Sequence, residues 1–136
     1  MTTLKIDFTT EDPKHSEVVV YLVESPPWND LSTRLQSIEE RIYLTIDAIL
    51  DGHLQTRLRL TAGARYRVQV DAHDAPDQIE GLIVLINEHV QSHSDYTACL
   101  SDSSNASAIR VVSGRAMRRD RESRVHEGHE EKHKGH

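Results

Sequence analysis

Residues 25–52, SPPWNDLSTRLQSIEERIYLTIDAILDG, decide how the chain is read. Leu31, Leu35, Ile38, Ile42, Ile46 and Ile49 follow one another at steps of four, three, four, four and three, a spacing that lines them up on one stripe of an α-helix. The opposite face is polar. Asn29 or Asp30 can cap the first turn, Pro26 and Pro27 stop the helix from extending backwards, and Gly52 supplies the left-handed residue that often ends a helix. The expected helix runs from Asp30 to Asp51 and is ~30 Å long at ~1.5 Å per residue. Tyr43, Leu44, Ala48 and Leu50 lie off the stripe, so its second half should be buried more widely than its first.

Upstream, Leu4, Ile6 and Phe8 alternate with Lys5, Asp7 and Thr9, the two-residue period of a half-buried strand. The polar run 10–16, TEDPKHS, is a turn. It leads into EVVVYLVE (17–24), whose continuous apolarity predicts a central strand paired with the first in a hairpin. Downstream, HLQTRLRLTAGA (53–64) is less regular: Leu54, Leu58 and Leu60 fit either a short helix or an extended segment, and the stretch is expected to be a loop. RYRVQVD (65–71) alternates, with Tyr66, Val68 and Val70 on one face and Arg65, Arg67 and Gln69 on the other. Asp74-Ala75-Pro76-Asp77 starts a second helix, marked by Ile79, Leu82, Ile83, Ile86 and Val90 and ending near Ser92 or His93. YTACL (96–100) and SAIRVVS (107–113) are expected to be two further strands forming a hairpin. The order ββαβαββ predicts an α+β fold, a two-layer mixed four- to five-stranded sheet with two helices on one face.

The chain has 136 residues and a formal net charge of -6, enough length for one buried core without disulfides. Residues 1–113 carry nine Lys/Arg against seventeen Asp/Glu and form the expected single domain; residues 114–136 carry seven against five and form an expected disordered Arg/His-rich tail. Acidity in the folded part argues against nucleic acid as a partner. Cys99 is the single cysteine, so no disulfide forms within the chain and nothing demands an oxidising compartment. No secretory signal and no run long enough for a membrane span is read, and a cytoplasmic location with no membrane partner is expected.

Within residues 5–52, KIDF, VVVYLVE, the PPW-x-D turn, LQSIEERI and the terminal LDG follow one another. This order resembles a group of small uncharacterised bacterial cytosolic α+β proteins with a ββαβαβ order and no assigned activity. The resemblance fades after Gly52, supports the fold more than the function, supplies no site residue and lowers the expectation of an enzyme.

The residues themselves carry no GxSxG turn, no P-loop, no GxGxxG and no Cys/His nucleophile pattern. No catalytic residue and no cofactor are therefore expected. His126, His129, His133 and His136 stand at steps of three, four and three and would share one face of a helix, offering imidazoles to zinc or nickel, or else simply belong to a solvated low-complexity tail. His89 and His93 are four apart but need a third ligand, for which Cys99 would have to return beside them; a buried structural thiol is the plainer reading. Arg115, Arg118, Arg119, Arg121 and Arg124 form a basic run diluted by acids. Glu39, Glu40, Asp47 and Asp51 fall on the polar side of the long helix, a solvated face by default. Trp28 either closes the end of the core as a staple or stands out as a binding anchor. Trp28, Asp30, Glu39 and Glu40 are the partner-binding candidates. The expected function is a small acidic protein-binding domain of the immunity or antitoxin type, occupying a basic toxin. The alternatives are a self-associating homodimer module, or a metal-binding regulator acting through the histidines.

Overall fold

Four strands lie side by side in chain order, β1 (Phe8–Asp12), β2 (Glu17–Glu24), β3 (Ala64–Ala72) and β4 (Ala106–Ser113). The structure, a computed structural model, describes residues 5–59, 63–102 and 105–118. β1 and β2 form the antiparallel hairpin that the turn at 13–16 permits. β2, β3 and β4 are parallel, so each is reached by a crossover. The first crossover carries α1 (Leu31–Leu50) and the short α2 (His53–Leu58); the second carries α3 (Asp77–Ser92) and α4 (Ser94–Asp102). The result is an α+β fold with one mixed sheet and its helices packed on one face.

The core lies between that face and the stripes of α1 and α3. In the parallel register Val18 pairs with Tyr66, Val20 with Val68 and Leu22 with Val70, and Tyr66 and Val68 pair in turn with Ile109 and Val111. These rows meet Ile38, Ile42, Ile46 and Ile49 of α1 and Ile79, Ile83, Ile86 and Val90 of α3. Each fully buried side chain of this size contributes ~1.5–3 kcal/mol. The α1 stripe is graded as its composition suggests: Leu31 and Leu35 are half-buried, Ile38 onward buried.

Local chemistry fixes the boundaries. Asp30, at φ 52°, caps α1 by accepting from the Thr33 amide at 3.4 Å and from Thr33 Oγ1 at 2.7 Å. Gly52, at φ 82°, follows the last turn, and an added Cβ there would meet the Asn105 side chain, which itself donates to the Leu50 carbonyl at 3.0 Å.

Three expectations are corrected. Residues 96–100 are part of helix α4, not a strand, so no hairpin forms with 107–113 and β4 pairs with β3 instead. Tyr96 and Leu100, four apart, both pack against the core; five residues are too few for alternation to outweigh that helical pairing. Residues 53–58 are the helix α2, which buries Leu54. The first strand occupies Phe8–Asp12, later than the alternation from Leu4 suggested, because Ile6 packs against the core whereas Phe8 stacks on Tyr21 across the hairpin at 4.3 Å. Leu4 lies outside the described residues.

The free edge of β4 is closed by α3. Asn87 Oδ1 accepts from the Val111 amide at 2.8 Å, and Gln91 Nε2 donates to the Ile109 carbonyl at 2.6 Å, which satisfies edge groups that would otherwise invite another strand.

Candidate functional site

The helix-free face of the sheet is charged and yet largely buried. Alternation places Asp12 of β1, Glu17, Val19 and Tyr21 of β2, Arg67, Gln69 and Asp71 of β3 and Arg110 of β4 on it. Arg67 Nη1 donates to Asp12 Oδ2 at 2.9 Å and to Glu17 Oε1 at 3.1 Å. Arg110 holds Glu17 side-on through Nε and Nη2, both at 2.7 Å, the bidentate geometry that suits a carboxylate. Asp12 also accepts from His15 Nδ1 at 2.7 Å and from the Lys14 amide at 3.1 Å. The Arg67 guanidinium holds the Asp12 carboxyl well below the usual carboxylate range, with His15 adding to the effect. Burial pushes Glu17 up, but Arg110 and Arg67 outweigh it and its carboxyl is lowered too.

This network is not fully satisfied. Arg67 is 4% exposed and Gln69 9% exposed, yet among the described residues Arg67 Nε and Gln69 Oε1 are buried with no hydrogen-bond partner. Such a group left unmade costs about 1–3 kcal/mol. Both residues line a polar cavity of about 350 Å³ with Asp12, Lys14, His15, Tyr21, Asp71, Gly114, Met117 and Arg118. Residues 114–118, the start of the segment expected to be tail, form a helical turn. Arg115 ties that turn to α3, bonding Asp77 at 3.1 Å, Glu80 at 3.3 Å and the Ala75 carbonyl at 3.2 Å. Gly114 lies against the Asp71 carboxylate, which would have to shift to admit a Cβ there.

At the carboxyl end of β2 a second network anchors α1. Arg41, buried, donates to Asp7 Oδ2 at 2.7 Å, Glu24 Oε1 at 3.1 Å and the carbonyls of Lys5 at 2.8 Å and Val23 at 3.0 Å. Arg34 binds Glu24 Oε2 at 2.9 Å and lies 4.3 Å over the Trp28 ring. Trp28 Nε1 donates to the His73 carbonyl at 2.9 Å, and the ring packs half-buried at the core edge. Trp28 therefore links the β2–α1 and β3–α3 loops, and Asp30 caps α1.

The outer face of α1 is different. Gln36, Glu39, Glu40, Tyr43, Leu44 and Asp47 line an open groove of about 650 Å³. Among the described residues Glu39, Asp47 and Asp51 make no ion pair with Lys or Arg. Burial and the neighbouring Asp51 push the Asp47 carboxyl up, and burial with Glu39 does the same to the Tyr43 hydroxyl. α4 brings Tyr96 alongside, its ring 6.4 Å from Tyr43, 5.7 Å from His89 and 6.0 Å from His93. Burial first, then the charges of Tyr43 and Asp47, raise Tyr96 as well. The surface thus sets Glu39, Asp47 and Asp51, which have no Lys or Arg partner among the described residues, around an aromatic patch.

Of the four candidates read from the sequence, Glu39 and Glu40 lie on this face and Trp28 and Asp30 lie with the anchoring network. Tyr43, Asp47 and Tyr96 escaped as a set because Tyr96 is brought beside Tyr43 only through α4. Among the described residues no group of three or more His, Cys, Asp and Glu could hold a metal ion. Cys99 is exposed rather than a buried thiol. His126, His129, His133 and His136, with Arg119, Arg121 and Arg124, lie outside the described residues. Among the described residues no helix is long and apolar enough to cross a membrane. No family model, no curated protein and no solved structure matches the chain.

Proposed function

We propose that the protein is a small acidic protein-binding domain whose α1 face occupies a basic surface of a partner, in the manner of an immunity protein or antitoxin. One observation carries the reading. Asp7, Asp12, Glu17 and Glu24 are each held by an arginine, whereas Glu39, Asp47 and Asp51 stand without one among the described residues and flank Tyr43 and Tyr96. Uncompensated carboxylates steer a cationic partner, and tyrosines supply contact area with little entropy to lose. Co-expression with proteins encoded beside its gene, followed by a pull-down, tests it. A complex is expected that a triple Glu39→Lys, Glu40→Lys, Asp47→Lys variant loses at physiological salt. No complex, or one indifferent to those charges, removes the reading.

A second reading, self-association, is favoured by the apolar pair Val84 and Leu85 on α3, 51% and 64% exposed beside the open Gly81. Light scattering coupled to size exclusion decides it, and a monomer at all concentrations rules it out.

A further inference from the structure

The two edges of the sheet are finished differently. α3 occupies the edge of β4 through Asn87 and Gln91. β1, the other outer strand, pairs with β2 alone, and among the described residues nothing else hydrogen-bonds the main chain of residues 8–12. Phe8, Thr10 and Glu11 are exposed along it. An unpaired edge of this kind is a template for a further strand. Beside it, Phe8 and Leu58 leave 53% and 38% of their surface in solvent and line one groove with Lys5, Thr9 and Arg57.

We propose that β1 pairs antiparallel with β1 of a second copy of the chain, joining two four-stranded sheets into one continuous sheet. A two-fold axis normal to the sheet keeps every side chain on its own face, so the only registers it allows set one residue directly against its own copy. The register centred on Thr10 overlaps all five residues of β1, with Phe8 opposite Asp12 of the second copy and Thr9 opposite its Glu11. Centring on Glu11 instead would set that carboxylate against itself. Thr9 and Glu11 face the helix side, as their partners Val20 and Val18 do, so Glu11 of each copy reaches the groove of the other, where Lys5 and Arg57 lie. Among the described residues Lys5, Glu11 and Arg57 make no ion pair within one copy. Pairing therefore brings a carboxylate to two cations, twice over by symmetry. Because the edge of β4 is already occupied, each copy has one edge to offer and the assembly closes at two. This surface uses neither the outer face of α1 nor the Val84 and Leu85 pair, so it stands without either reading above.

The test uses the full chain. Light scattering coupled to size exclusion is expected to show, as concentration rises, a species of twice the 15.5 kDa of one chain. Glu11→Lys should raise the dimer Kd about tenfold, as two lost exposed ion pairs would, and adding Arg57→Glu to it should recover most of that loss; Glu11 and Arg57 are both exposed, so neither change disturbs the core. Register is read by oxidative cross-linking in chains that also carry Cys99→Ser, since Cys99 is exposed. Thr10→Cys should cross-link to its own copy, because directly opposite residues lie about 4.5–5.5 Å apart between Cα atoms, within reach of a disulfide. Thr9→Cys, whose copies stand on the diagonal about 7–8 Å apart, should cross-link far less. A monomer up to about 1 mM, a dimer that Leu85→Glu abolishes while Glu11→Lys leaves it intact, no recovery on adding Arg57→Glu, or cross-linking at Thr9 equal to that at Thr10 would each overturn the proposal. The second of these outcomes would at the same time favour the α3 surface, so the two modes of self-association are told apart.

Discussion

The two faces of this molecule treat the same chemical group in opposite ways. On the helix-free side of the sheet, Asp12 and Glu17 are enclosed by Arg67 and Arg110, and their carboxyls are held below the ordinary range. On the outer side of α1, Asp47 sits beside Asp51, and its carboxyl is held above that range by burial and like charge. Carboxylates of the first kind contribute to the fold, because losing the charge exposes buried guanidinium. Those of the second kind detract from it, since burial and the neighbouring Asp51 both oppose the charge on Asp47.

The sharpest way to break the comparison is Glu17→Ala. Its side chain is 2% exposed between two arginines, and removing one member of a buried pair is expected to cost about 3–5 kcal/mol, measured by urea denaturation. A loss under about 1 kcal/mol would mean that the network is as slack as a surface pair.

Acid titration is expected to give the next largest effect. Asp7, Asp12 and Glu17 all have lowered carboxyls: burial raises Asp7 but the Val23 amide and Arg41 prevail. A group lowered in the folded state contributes stability that is complete above its unfolded pKa, about 4, and is lost as pH falls through its folded value. Stability should therefore hold above about pH 5 and drop by about 2 kcal/mol or more below it. Asp47 runs the other way, since a raised carboxyl favours the fold when protonated. A profile flat to about pH 3 would remove the network's claimed role.

Asp47→Asn gives the smallest effect and a contrasting sign. It relieves repulsion with Asp51 and should raise stability by about 0.5 kcal/mol at neutral pH, read as a small upward shift in the urea midpoint. A clear destabilisation would show that Asp47 belongs to the fold after all.

Much of the architecture was legible because it is periodic. The isoleucine stripe of α1, the Asp30 cap, the Gly52 stop and the alternation of Tyr66, Val68 and Val70 are all local patterns with one structural solution. Residues 96–100 misled because five residues fit two periods, and what chose the helix was the packing of Tyr96 and Leu100 against the core. Glu39 and Glu40 could be placed on an outer face by helical spacing alone. Trp28 could not be assigned a role, because its partner is the carbonyl of His73, forty-five residues away.

The sequence by itself determined the long, periodic elements, namely α1 with its beginning and end, β2, β3 and α3, and which side of β3 is polar, since those follow from side-chain spacing along a single element. Only the tertiary structure decided that β4 runs parallel beside β3, that Tyr96 joins Tyr43, and that Arg67 meets Glu17 fifty residues before it while Arg110 reaches Glu17 from ninety-three residues away. The reason is physical: spacing along a chain fixes faces, whereas the pairing of faces depends on which distant groups must be desolvated together.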